Sequence, residues 1–175
     1  MKRLFRHLAG LLLSASLACS VHAQDISEHH LKAALLYNFA LFTGWPAETL
    51  AEGSTLNLCV IGEDPLGRAL ESLAGKQVKS RPISVRYITR TDVAANCHVL
   101  FISRTEQGNL ERILDGVRGR AVLTVMDLEG MAQRGVMVNL LLDNRRVVFE
   151  INAEAARLAQ LNLSSKILRL ARAVH

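Results

Sequence analysis

The chain has 175 residues, with 21 Lys and Arg against 16 Asp and Glu. Three of those bases (Lys2, Arg3 and Arg6) and none of the acids fall in residues 1–23, so residues 24–175 carry 18 against 16, a charge of +2. So small a charge, spread along the chain, gives none of the basic footprint of a nucleic-acid binder, and the 152 residues from 24 to 175 suit one domain with its own core.

The three bases open a signal-peptide pattern. An apolar stretch, Leu8 to Leu17, follows them, and Val21-His22-Ala23 sets small residues where a signal peptidase needs them, so cleavage is expected between Ala23 and Gln24. The apolar run falls short of the roughly 20 residues that span a bilayer. A lipid anchor at Cys19 is the competing reading, because Cys19 follows Leu17-Ala18, although Ser16 stands where such a site usually carries Leu. After cleavage two cysteines remain, Cys59 and Cys97. In an oxidising compartment a single pair reads as one disulfide, with two buried thiols as the alternative.

Ser27 is placed to cap a helix running to about Phe42, with Glu28 at the positive end of its dipole. Its first turn is polar (Glu28, His29, His30, Lys32), whereas Ala33 to Phe42 is apolar nearly all round. Such a helix is buried on most sides or faces a partner. Gly44 can end it, and Trp45-Pro46 begins an extended exit. Leu56 to Ile61 is a short apolar run that reads as a buried strand, and Pro65 to Leu73 fits a helix with Leu66, Ala69, Leu70 and Leu73 on one stripe. Strands are expected at Ile83–Tyr87, Val99–Ile102 and Ala121–Val125, with a short helix at Asn109–Leu114. Met137–Leu142 and Arg145–Ile151 then form a hairpin about Asp143-Asn144. Helices at Ala153–Leu161 and Ser164–Ala173 close the chain. Alternating strands and helices predict a single α/β domain: a largely parallel sheet with flanking helices, an antiparallel hairpin, and two C-terminal helices. In doubly wound sheets the first strand usually neighbours the third. That would bring Cys59 and Cys97 onto parallel strands about 4.8 Å apart, within disulfide reach.

Few motifs carry chemistry. Gly62-Glu63-Asp64-Pro65-Leu66-Gly67-Arg68-Ala69 has the glycine spacing of a phosphate loop, but Arg68 and Ala69 stand where Lys and a hydroxyl are needed, so no nucleotide binding is expected. His29 and His30 are adjacent and cannot face one ion, and His98 lacks a spaced ligand set, so surface or capping roles are expected and no metal or cofactor is assigned. No nucleophile is paired with a base, which disfavours an enzyme. Asp127 and Glu129 follow the fourth expected strand, at the edge where doubly wound sheets bind ligands. A small-molecule sensor or binding protein using that edge is the alternative function, and solvated loop acids are the plainer account.

The apolar helix carries the remaining signal. A helix lying on a sheet buries only part of its circumference, so its outer face must meet the C-terminal helices, a second copy or a partner. If a partner docks there, Tyr37, Leu41 and Trp45 are the expected anchors, since aromatic residues are enriched at interface hot spots.

Several segments, taken in order, resemble the YfiR-like family. They are Lys32 to Pro46; Leu58 to Gly62 with Asp64-Pro65; Cys97 to Ser103; and Leu123-Thr124-Val125 with Asp127. Val148 to Asn152 with Ala155-Ala156, and Leu163 to Ala171, complete the set, which covers essentially residues 24–175. The resemblance implies a non-catalytic periplasmic protein that represses an inner-membrane diguanylate cyclase by binding its periplasmic region. An OmpA-like outer-membrane lipoprotein would relieve that repression, so controlling cyclic di-GMP and biofilm formation. The chain departs from the usual pattern at Gln133-Arg134-Gly135, where relatives often have a double glycine, and it lacks a second cysteine pair found in some of them.

Overall fold

Residues Ser20–Phe42 form helix α1 in the computed structural model of the chain, which describes residues 20–63, 65–89 and 91–175. The basic and apolar parts of the expected signal peptide, and Cys19, lie outside the described residues. The helix starts before Ser27, the expected cap, and is continuous across the expected cleavage point. No Gly or Pro interrupts residues 20–42, so nothing local stops it.

Then come β1 (Thr43–Gly44), β2 (Leu56–Ile61), α2 (Arg68–Glu71), β3 (Gln77–Val78) and β4 (Arg81–Ile88). A 3-10 turn at Thr91–Asn96 leads to β5 (Val99–Ile102), and another at Arg104–Asn109 leads to α3 (Leu110–Gly116). β6 (Leu123–Met126), β7 (Val138–Asp143), β8 (Arg146–Ile151) and α4 (Ala153–Leu158) follow. The chain ends with β9 (Asn162–Leu163), α5 (Ser165–Leu168) and β10 (Ala173–Val174).

Eight strands form the main sheet in the order β10-β8-β7-β6-β5-β2-β4-β3. The block β4-β2-β5-β6-β7 is parallel, and β8 runs antiparallel to β7. Both faces are covered, which is why the central strands read as unbroken apolar runs. Along β5, Val99 and Phe101 join the core beneath α1, while Leu100 and Ile102 join the one beneath α3. Phe39 meets Phe149 edge-on across the first of these, with ring centroids 5.0 Å apart.

The expected strands are present within a few residues of their predicted bounds, but the helices expected at Pro65–Leu73, Ala153–Leu161 and Ser164–Ala173 are shorter. The Leu66, Ala69, Leu70 and Leu73 stripe is buried as expected, although only Arg68–Glu71 is helical. The hairpin turn is Asn144-Arg145, both at positive φ, rather than Asp143-Asn144, because Asp143 pairs with Arg146. The last expected helix stops at Leu168. Beyond it, Arg172 N–H donates to Phe149 O and His175 N–H to Ile151 O, so the open edge of β8 recruits the chain as β10. Leu170, within the expected helix, is 72% exposed. The short strands β1, β3, β9 and β10 were not anticipated.

Candidate functional site

α1 turns one stripe to the sheet: Ala33, Leu36, Phe39 and Ala40 are buried. Leu35, Tyr37, Leu41 and Phe42 are only half-buried and Leu31 is exposed, so the helix buries one stripe and leaves its outer side partly open. The C-terminal segment meets the end of this helix. β1 pairs with β9, Ser164 N–H donates to Phe42 O, and α5 packs against α1.

The three expected anchors sit around that end. Tyr37 Oη donates to Gln77 O at 2.8 Å, tying α1 to β3. Leu41, one turn on, packs half-buried against the core. Trp45 is half-buried, edge-on to His98 at 6.4 Å, and its Nε1 is buried with no acceptor among the described residues. A cavity of about 240 Å³ opens here, lined in part by Gly44, Trp45, Lys79 and Arg81. Lys79 Nζ donates to Thr43 O, and Arg81 donates to the carbonyls of Lys79, Leu50 and Ala51. Neither cation meets a carboxylate among the described residues, so this mouth is positive.

His98, expected at the surface or as a cap, is buried instead. Its Nδ1 accepts from Asn57 N–H at 2.8 Å and its Nε2 faces Thr49 O at 3.2 Å, which assigns the proton to Nε2. Burial pushes its pKa below the usual histidine value; the Thr49 carbonyl opposes that shift, and the charge of Arg81 adds to it. The ring thereby fastens the loop after Trp45 to the start of β2.

At the carboxyl edge of the sheet, Asp127 is buried just after β6, whereas Glu129 is exposed. Asp127 Oδ2 lies 3.0 Å from Lys32 Nζ and 3.1 Å from Arg104 Nη2, and Lys32 Nζ also reaches Glu28 Oε1 at 2.7 Å. Asp127 Oδ1 is buried with no donor among the described residues. Lys32 was expected in a polar first turn, yet only 5% of it is exposed. The signal was its spacing, since Lys32, Leu36 and Phe39 fall on one helical stripe.

The loop after β2 shows why glycine stands there. Gly62 has φ +88, and a Cβ would come within 2.9 Å of Ser103, Thr105 and Glu106 side chains. Close packing against the exit of β5 therefore accounts for this glycine without a phosphate. Cys59 in β2 is disulfide-bonded to Cys97, with their Cα atoms 5.8 Å apart and β2 beside β5 as expected.

No helix among the described residues is long and apolar enough to cross a membrane. A solved structure of the ABC domain in complex with L-Trp from Streptococcus pneumoniae is similar, with a TM-score of 0.52 and 7% identity over 80% of this chain. This chain spans 60% of the length of that one, and at such identity the likeness is of fold alone. The model of the family described as YfiR/HmsC-like matches residues 29–172. With most of its length matched, the chain belongs to the YfiR/HmsC-like family, a family of periplasmic regulators of cyclic di-GMP signalling rather than of catalysts.

Proposed function

We propose that this protein is exported by cleavage after residue 23, acts as residues 24–175, and represses a membrane-anchored diguanylate cyclase by binding its periplasmic region. An OmpA-like outer-membrane lipoprotein relieves the repression. The observation that carries the reading is the end of α1. There Tyr37, Leu41 and Trp45 remain half-buried, and Trp45 lines a cavity whose cations, Lys79 and Arg81, have no acid partner among the described residues. Aromatic and aliphatic anchors beside a positive mouth suit a protein surface with apolar and acidic side chains. A second copy of the chain could use the same face.

The test is Leu41→Glu in the native host. Leu41 is only half-buried, so the variant is expected to fold and keep its disulfide while cellular cyclic di-GMP rises as in a deletion strain. Trp45→Ala should act likewise, with a thermal melt checking for loss of its contact with His98. Folded variants that still repress would clear this face of the role. A deletion strain with unchanged cyclic di-GMP would remove the cyclase from the account.

A small-molecule sensor is the second reading, supported by the Oδ1 of Asp127, which has no donor among the described residues, at the edge where such sheets bind ligands.

A further inference from the structure

A groove of about 490 Å³ opens between α3 and α4, sharing no lining residue with the cavity beside Trp45. Leu114 and Val117 line one wall, Ala155, Leu158 and Ala159 the other, and Met137 also contributes. Leu158, which lines the groove, is 64% exposed.

Size and lining separate this groove from the other two. Small-molecule sites run from about 300 to 1,000 Å³ and are mostly apolar with a few polar groups. The cavity beside Trp45, at about 240 Å³, is too small. The one at the ends of β2 and β4 holds about 350 Å³ but is lined by Glu63 and Glu106. Of these three cavities among the described residues, the α3–α4 groove combines sufficient volume with an apolar wall.

Two cations also line it. Arg118 pairs with Asp115 on its own turn, and both are largely exposed. Among the described residues the one carboxylate that Arg134 reaches is Glu111, at 3.9 Å, and that Glu111 side chain is 90% exposed. A solvated pair at such a distance contributes little and can be exchanged for another anion. Apolar walls with an exchangeable guanidinium describe a site for a molecule with an apolar body and one anionic head.

We propose that the α3–α4 groove binds a free medium-chain fatty-acid anion, its alkyl chain between Leu114 and Ala159 and its carboxylate on Arg134. The site is separate from the α1 face and does not depend on the cyclase reading.

The test uses the oxidised protein, residues 24–175, titrated with decanoate below its micellar concentration and followed by amide chemical shifts. Saturable shifts confined to α3, α4 and the Arg134 loop are expected. Ala159→Phe, which fills the groove, should abolish them, and Arg134→Gln should weaken binding about tenfold, the loss expected for one charge-assisted hydrogen bond. Decanol should bind as weakly as decanoate does to Arg134→Gln. Equal binding of decanol and decanoate would overturn the anionic part of the proposal. No saturation, or unchanged binding by a folded Ala159→Phe variant, would overturn the whole. Shifts at the same residues on dilution without decanoate would show a second copy in the groove and refute the fatty-acid assignment.

Discussion

Replacing Lys32 by Met tests the buried charge network most directly. The Lys32 and Asp127 side chains are 6% and 2% exposed, so their contact at 3.0 Å is shielded from water. Met keeps the length of the aliphatic stem and removes the ammonium. Among the described residues Asp127 then retains only Arg104, whose side chain is 56% exposed, and its Oδ1 has no donor there. Breaking a buried pair by removing one partner costs about 3–5 kcal/mol. Because Arg104 remains, the lower end applies, about 3 kcal/mol. For a domain of this size, 1 kcal/mol shifts Tm by about 2–4 °C, so a fall of about 6–12 °C is expected. The partner experiment is Lys32→Met with Asp127→Leu. Exchanging both charges for apolar groups of similar volume is often neutral or stabilising, so the double variant should recover most of the loss. Urea unfolding of the wild type, both single variants and the double variant closes the cycle. The reasoning fails if Lys32→Met unfolds within about 0.5 kcal/mol of the wild type, the range of an ordinary surface change. It also fails if the double variant is less stable than either single one.

The disulfide and His98 give two further tests. The Cys59–Cys97 bond spans a sequence separation of 38 residues, for which the chain-entropy estimate is about 4 kcal/mol. Urea midpoints of the oxidised protein and of Cys59→Ala with Cys97→Ala should differ accordingly, and a difference under about 1 kcal/mol would contradict that estimate. His98 has a folded pKa below its unfolded value of about 6.5, so the unfolded chain binds more protons as pH falls. Its contribution is full above about pH 6.5 and declines as pH drops through that value toward the folded pKa. Stability should therefore fall as pH drops below about 6.5, and His98→Gln should flatten that slope. An unchanged slope in the variant would assign the pH dependence elsewhere.

What local sequence could decide, it did. Val99–Ile102 reads as a strand buried on both faces because four apolar residues in a row satisfy period-two alternation toward two cores at once. The cysteine count and the predicted strand neighbourhood were enough to pair Cys59 with Cys97, and the ordered motifs pointed to the family. Local pattern failed where a residue's state depends on something distant. Lys32 reads as a solvated first-turn lysine until Asp127, 95 residues away, supplies the charge that makes its burial tolerable. His98 reads as a surface residue until the Asn57 amide and the Thr49 carbonyl, 41 and 49 residues away, occupy its two nitrogens. The segment Ser164–Ala173 reads as one helix, yet the edge of β8 draws its end into β10. A two-residue strand has no periodicity of its own, so β1, β3, β9 and β10 exist only because the folded chain places a partner beside each.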